Sequence, residues 1–240
     1  MKRPVASVAP ATGVTHVFWD WNGTLLDDTQ AAVDTLNIML ARRGGRPVAM
    51  DYYRDHFAFP VKPFYESIGV CLENEDWDAL AREYHDTYAA QPKRLNPEAV
   101  AALERARSAG VRQAVISALR QDLLESALEE FGVRGYFDHV YGVDNLDGRS
   151  KLSRARELLS AIRGSAGFPP PGPSGFVLVG DALHDKEVAD ALGVRCVLCA
   201  QGSHAAWRLR AVAPTGDTLL EALDIALAGA PPPHGADYLV

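Results

Sequence analysis

Short apolar runs rich in β-branched residues alternate along the chain with longer stretches whose apolar positions recur at helical spacing. This alternation is typical of a parallel sheet covered by helices on both faces, so we predict an α/β fold with a Rossmann-like, doubly wound parallel sheet. The predicted strands are 16–20, 111–117, 136–142, 176–181 and 194–199. The predicted helices begin with one that follows Asn96 as N-cap, has Pro97 in its first position and ends before Gly110. The others are 120–131, 152–162, 184–192 and 217–228.

The interval between the first and second predicted strands, 28–95, is far longer than a single crossover helix needs. Its helical segments are predicted at 29–43, 51–59, 62–69 and 74–90. We therefore expect a small helical cap domain over 28–95, inserted into a catalytic core made of 14–27 and 96–228. Residues 1–13 and 229–240 are aperiodic, and we expect them to be flexible termini outside the core. The Pro- and Gly-rich stretch 163–175 is expected to be a surface loop.

Composition excludes several classes of protein. The chain is 48% hydrophobic and 23% charged, and no apolar run approaches the roughly 20 residues of a membrane span, so no membrane association is expected. A formal net charge of −7 disfavours nucleic acid as a partner. The N-terminus lacks the apolar core of a secretory signal, which favours a cytoplasmic location. Of the three cysteines, Cys196 and Cys199 form a C-x-x-C inside an apolar run, so we expect buried strand residues and not a redox pair.

Polar residues stand where several of the apolar runs end. Asp20, Ser117 and Asp181 each close a predicted strand, and Lys151 opens the helix after the third one. Ligands of open parallel sheets bind beyond the carboxyl ends of the strands, so these side chains should converge. Two carboxylates suit a hard cation, while a hydroxyl and an ammonium suit the remaining charge of a phosphate. The pattern predicts an anion site that contains a metal.

Four segments, taken in order, resemble the motifs of the haloacid dehalogenase-like superfamily. They are DWNGTLLDD (20–28), the serine of VIS (117), Lys151 and GDALHDKEVADALG (180–193). The resemblance covers 16–200, and the position of the cap is similar to that of the phosphoglycolate phosphatase and β-phosphoglucomutase branch. It implies a magnesium-dependent hydrolase of small phosphorylated metabolites. We expect the protein to be a monomer or a homodimer.

The resemblance also implies a role for each matching residue. Asp20 would attack phosphorus and form an aspartyl-phosphate. Phosphate would be held by Gly23, Thr24, Ser117 and Lys151, with Gly23 allowing the tight turn. Mg²⁺ would be bound by Asp20, the backbone carbonyl of Asn22 and Asp181, with Asp185 ordering the ligand shell.

Asn22 departs from the family pattern. Phosphatases of this family carry Asp two residues after the nucleophile as the general acid and base, and asparagine cannot take a proton from water near neutral pH. Asn22 therefore predicts slow turnover.

Three alternatives stay open because of this departure. A haloacid dehalogenase needs no acid at residue 22, although Asp181 and Asp185 keep the metal-type motif of phosphate chemistry. A phosphonoacetaldehyde hydrolase-like enzyme would use a cap lysine, for which Lys62 is the candidate. A phosphate-binding protein with little turnover is the third. His184 is expected to be a solvated loop residue close to the site.

Overall fold

A computed structural model of the chain describes residues 13–144, 151–164 and 175–228. The strands in these residues are β1 His16–Trp19, β2 Leu26–Asp27, β3 Arg94–Leu95, β4 Arg112–Arg120, β5 His139–Val143, β6 Phe176–Gly180, β7 Arg195–Cys199 and β8 Thr215–Gly216. Six of them are parallel and form one sheet in the order β5-β4-β1-β6-β7-β8, and β2 and β3 form a separate antiparallel ribbon. Numbered among themselves, the core strands run 3-2-1-4-5-6, which is the doubly wound order, and the predicted fold class is confirmed.

Alternating side chains of the sheet enter two separate hydrophobic layers. The helices that cover the sheet are α5 Ala99–Ser108, α6 Gln121–Glu130, α7 Lys151–Gly164, α8 Leu183–Leu192 and α10 Leu219–Leu227, with the short α9 Ala206–Arg210 beside β7. Val17 and Trp19 of β1 join the cluster beneath α5, α6 and α10, while Phe18 joins the cluster beneath α7 and α8. Both faces of the central strands are buried, which explains why those strands are continuous apolar runs and not alternating ones.

The segment between β1 and β4 folds around a cluster of its own. It contains α1 Thr29–Arg42, α2 Met50–His56, α3 Val61–Ser67 and α4 Trp77–Ala89. Their apolar faces meet around Leu36, Leu40, Tyr53, Phe64 and Leu80. The chain enters and leaves this helical segment through the ribbon of β2 and β3, in which Leu26 pairs with Leu95.

Several predicted boundaries are wrong. The strand predicted at 111–117 continues to Arg120 after a register shift past Ile116, so the following helix begins at Gln121. Asn96 is not an N-cap: α5 begins at Ala99, and the Asn96 side chain accepts the N–H of Glu98 in a preceding turn. Residues Arg134–Tyr136 form a 3₁₀ turn before β5.

Other predictions concern the ends, the loop and the cysteines. The β2–β3 ribbon, β8 and α9 were not predicted, because two to five residues show no periodicity. Residues 1–12, 165–174 and 229–240, which include most of the predicted termini and loop, lie outside the described residues. Cys199 is buried, Cys196 is half-buried and neither is in a disulfide. Across the described residues, no helix is both long enough and apolar enough to cross a bilayer.

Candidate active site

The site lies where the strand order reverses. After β1 the chain proceeds to β4 and β5 on one side, and it returns to β6 on the other side of β1. Asp20 follows β1 and Asp181 follows β6, and the N–H of Asp20 donates to the carbonyl of Val179 at 2.9 Å. Crevices at such switch points are the usual ligand sites of open parallel sheets. The two carboxylates are therefore brought together by strand order and not by proximity in sequence.

Three buried carboxylates and one buried ammonium form the centre of the site. One oxygen from each of Asp20, Asp181 and Asp185 lies within 4.8 Å of the others. The Nζ atom of Lys151 donates to Oδ1 of Asp20 and, at 2.6 Å, to Oδ1 of Asp185. All four side chains are at most 6% exposed. Three carboxylates facing one ammonium leave an excess of buried negative charge, which a cation would offset.

The pKa values follow from this crowding. Burial raises the pKa of Asp20 well above its usual value, and Lys151 opposes that rise. Burial and the neighbouring Asp185 raise the pKa of Asp181 to about 6. Burial acts in the same direction on Asp185, but Lys151 and the backbone N–H of Ala182 outweigh it and lower the pKa. Asp185 is thus the carboxylate that Lys151 keeps ionised, while the charges of Asp20 and Asp181 are compensated less well.

Asp181 is held by groups from two other loops. Its Oδ2 accepts from both the backbone N–H and the hydroxyl of Ser203 at 2.6 Å, and its Oδ1 accepts from the Thr24 hydroxyl at 3.0 Å. Two glycines make room for it: a Cβ at Gly23 would lie 2.4 Å from Oδ2 of Asp181, and one at Gly202 would lie 2.2 Å from it. Gly23 also has φ of 77°, as its predicted turn requires.

Ser203 was not among the site residues predicted from the sequence. It stands in an irregular segment after β7 that matches no motif, so no local signal identified it.

The side chain of Asn22 is fully engaged. Its Nδ2 donates to Oδ2 of Asp28 at 2.7 Å and to the Tyr88 hydroxyl at 3.0 Å, and its Oδ1 accepts from the Ser117 hydroxyl at 3.4 Å. The hydroxyl of Tyr88 also donates to Asp28. Asn22 is therefore fixed between Asp28, at the end of the segment 20–28, and Tyr88 of α4.

Asp28 is a second residue that the sequence analysis missed. It is 5% exposed, and burial raises the pKa of its carboxyl group. Its Oδ1 accepts the N–H of Gly23 at 2.7 Å, which also lies 3.0 Å from the carbonyl of Leu26. The N–H of Gly23 is thus engaged within its own loop, and Gly23 contributes the turn itself. Asp28 is the last residue of the motif DWNGTLLDD, but no feature of the sequence indicated that its side chain contacts Asn22.

The helices between β1 and β4 and the ends of the sheet strands line a cavity of about 220 Å³ that includes Asp20. Asp20, Asn22, Ser117 and Lys151 lie on its floor. His184 also lines it, within 3.1 Å of Glu187 and with its ring centroid 5.2 Å from that of Phe59.

Lys62 is not brought to the cavity. It is exposed, and its Nζ lies over the Trp77 ring at 4.5 Å from the centroid. The structure thus brings Asp20, Asn22, Ser117 and Lys151 together at the cavity and leaves Lys62 outside its lining.

The donor set suits a magnesium ion. Mg²⁺ prefers carboxylate and carbonyl oxygens and keeps part of its coordination shell for water and substrate phosphate. Asp20 and Asp181 offer such oxygens in the lining of the cavity, and Asp185, which is paired with Lys151, has an oxygen within 4.8 Å of theirs. The raised pKa of Asp181 marks a carboxylate that would be stabilised by a nearby cation.

Comparison with known proteins gives the same family over most of the chain. Residues 17–190 match haloacid dehalogenase-like hydrolases. Phosphoglycolate phosphatase of Caulobacter vibrioides is 27% identical over 197 residues, which are 79% of this chain and 80% of the phosphatase. PpaX of Caldanaerobacter subterraneus, a protein whose name places it among pyrophosphatases, is 22% identical over 191 residues, 77% of this chain and 80% of that protein.

A third relative is named as a kinase. Tyrosine-protein kinase PtkA of Mycobacterium tuberculosis is 26% identical over 198 residues, 81% of this chain but only 65% of the kinase. Its solved structure superimposes with a TM-score of 0.71 at 23% identity, covering 89% of this chain and 98% of the solved one, so the two share a fold. Because the family match extends from Val17 in β1 to Asp190 in α8, and so covers well over half of the chain, the chain belongs to the haloacid dehalogenase-like hydrolases.

Proposed function

We propose that this hydrolase is a magnesium-dependent phosphatase of small phosphorylated metabolites that acts through an aspartyl-phosphate on Asp20. The observation that carries the proposal is the cluster of three buried carboxylates whose oxygens lie within 4.8 Å of one another, with Lys151 bridging two of them. The relatives named as phosphatase and pyrophosphatase support a phosphoric ester or anhydride as the bond that is cleaved.

Each residue of the floor then has a task in the first step. An oxygen of Asp20 attacks phosphorus, the bond to the leaving oxygen breaks, and its electron pair departs with the leaving group. Lys151 and Ser117 supply donors for the phosphoryl oxygens, and Thr24 and Ser203 hold Asp181 in place. Bound Mg²⁺ would neutralise charge on the phosphoryl group as it transfers.

Asn22 makes the second step slow. In the second step water attacks phosphorus and the Asp20 carboxylate leaves, and this requires a base for the water proton. Asn22 cannot serve as that base, and both hydrogens of its amide are already donated, to Asp28 and Tyr88. We therefore expect good leaving groups to be favoured and the phosphoenzyme to accumulate.

The alternatives fare less well against the geometry. Dehalogenation needs no metal-type cluster, whereas Asp181 and Asp185 lie beside Asp20. A Schiff base on Lys62 would form outside the cavity, since its Nζ rests on Trp77. The third alternative, a phosphate-binding protein with little turnover, has to be distinguished from a phosphatase by experiment.

Labelling with acetyl phosphate that carries radioactive phosphorus provides the test. With Mg²⁺ present, the wild-type protein should retain the labelled phosphoryl group after acid quench. Asp20→Asn, Asp181→Ala or chelation of magnesium should abolish this labelling. Asp27→Asn is a matched control in the same motif, because Asp27 pairs with Arg94 outside the cavity, and it should label normally. Absence of label in the wild type, or full label in Asp20→Asn, would overturn the aspartyl-phosphate proposal.

A second candidate is transfer of the phosphoryl group to a hydroxyl acceptor in place of water. The similarity to a protein named as a tyrosine kinase and the engaged amide of Asn22 favour it. Adding tyrosine amide to the isolated phosphoenzyme tests it: transfer requires faster loss of label together with phosphotyrosine formation, and loss as inorganic phosphate alone excludes it.

A further inference from the structure

The roof of the cavity is aromatic. Above the charged floor, the cap contributes side chains from α2, α4 and the loop that follows α2, among them Tyr53, Phe57, Phe59, Tyr84 and Tyr88. A dry apolar cavity of roughly 150 Å³ is large enough to hold benzene. The cavity here, at about 220 Å³, therefore has room for a single ring beside a phosphoryl group.

The aromatic walls are held in place before any ligand arrives. Phe57 stacks on Tyr53 with centroids 4.7 Å apart and meets Phe64 edge-on at 5.4 Å. Tyr84 and Tyr88 lie parallel at 5.9 Å. The hydroxyl of Tyr88 is taken up by Asp28, so Tyr88 offers the cavity its ring and not a free polar group. Rings fixed in this way lose little entropy when another ring packs against them.

The charges of the lining oppose a second anionic group. Four carboxylates line the cavity, those of Asp20, Asp28, Asp181 and Asp185. Lys151 is the sole lysine or arginine among the lining residues that the structure describes, and it is already paired with Asp20 and Asp185. Even a bound divalent cation would leave no surplus positive charge for a carboxylate or a second phosphate on the substrate.

We propose that the cap cavity recognises one uncharged aromatic ring on the leaving-group side of the phosphoryl group. The substrate class is then phosphate esters of aryl or arylmethyl alcohols, in preference to phosphates that carry a second anionic group. This inference rests on the proposed phosphatase function, since the floor must hold the phosphoryl group. Recognition of a ring differs from a preference for good leaving groups. Benzyl phosphate has an aromatic ring and a poor leaving group, whereas acetyl phosphate has a good leaving group and no ring.

Binding of non-hydrolysable phosphonates separates recognition from catalysis. With Mg²⁺ present, calorimetry should show benzylphosphonate binding about 10- to 100-fold more tightly than methylphosphonate, through burial of the ring among aromatic side chains. Phosphonoacetate, which carries a carboxylate in place of the ring, should bind no better than methylphosphonate. Equal affinity for the benzyl and methyl compounds, or tighter binding of phosphonoacetate than of benzylphosphonate, would overturn the inference.

Two variants and a matched control locate the binding of the ring. Phe59→Ala removes a ring that is 36% exposed at the cavity mouth, and Tyr52→Ala removes one that is 38% exposed on the same part of the cap but outside the cavity. Phe59→Ala should lower the benzylphosphonate affinity about 5-fold or more, without changing that of methylphosphonate, and Tyr52→Ala should change neither. Ala81→Phe, on the cavity wall, should block the benzyl compound selectively.

Failure of this inference and failure of the proposed function give different results. If acetyl phosphate does not label the wild-type protein, the proposed phosphatase mechanism is wrong, because that donor carries no ring and does not depend on the aromatic subsite. Retained labelling with equal effects of Phe59→Ala and Tyr52→Ala on benzylphosphonate removes the aromatic subsite alone.

Discussion

Replacing Asn22 by Asp tests how the site compensates for its missing acid and base. By shape the exchange is nearly neutral, since an amide becomes a carboxylate of the same size. In the structure, however, the amide Nδ2 lies 2.7 Å from Oδ2 of Asp28, a buried carboxylate. Asn22→Asp therefore exchanges a hydrogen bond for a contact between two carboxylates.

The magnitude follows from the contact that is lost and the one that is made. A hydrogen bond to a charged group contributes about 1.5–3 kcal/mol. Two buried carboxylates in contact cannot both ionise, so one of them must stay protonated at a pH above its usual pKa. Keeping that proton costs additional free energy in the folded state. We expect Asn22→Asp to lower the free energy of unfolding by about 2–4 kcal/mol at pH 7.5, or the melting temperature by about 4–16 °C.

The reciprocal exchange should rescue this loss. In Asn22→Asp/Asp28→Asn the amide and the carboxylate trade places, and Tyr88, within 3.0 Å of residue 22, can donate to the new carboxylate. The four proteins form a double-mutant cycle, for which urea unfolding should give a favourable coupling free energy of about 1–3 kcal/mol. Because a carboxyl pKa is raised in folded Asn22→Asp, its deficit should be smaller at pH 5 than at pH 8.

Activity should follow the same pattern. The double variant places a carboxylate at residue 22 that stays ionised, so its steady-state phosphatase rate should exceed that of the wild type by about 10²-fold or more, with less trapped phosphoenzyme. Wild-type stability in Asn22→Asp together with zero coupling in the cycle would refute the reasoning. An unchanged phosphatase rate in the double variant would show that another group already handles the water proton.

Three further predictions concern the metal and the nucleophile. Since burial and Asp185 raise the pKa of Asp181 to about 6, Mg²⁺ must displace a proton below that pH. Calorimetry should then show affinity rising about fivefold from pH 5 to 6 and about twofold more before it levels above 7, and a flat profile would contradict it. Beryllium fluoride, which mimics an aspartyl-phosphate, should raise the melting temperature only with Mg²⁺ and only while Asp20 is intact; equal stabilisation of Asp20→Asn would remove the nucleophile assignment. Ser203→Ala should weaken Mg²⁺ binding about 10- to 100-fold without unfolding the protein, since its hydroxyl holds Asp181 at 2.6 Å, and unchanged affinity would exclude that positioning role.

Local sequence determined the fold class and the positions of the central charged groups. Apolar runs long enough to be buried on both faces marked β1, β4 and β6, and their last residues had to lie at one edge of a parallel sheet. Asp20, Ser117 and Asp181 could be placed there because each belongs to a motif attached directly to a strand.

The tertiary structure decided what surrounds those groups. Asp28 meets Asn22 because the ribbon of β2 and β3 turns the chain back on itself, and Ser203 reaches Asp181 from a loop 22 residues further along. The aromatic roof depends on how the cap docks: the carbonyl of Phe57 accepts from His204 and Arg208, and Arg54 donates to the carbonyl of Gly202. Such contacts join segments with no shared periodicity, so their partners are selected by packing in three dimensions, which the pattern along the chain does not encode.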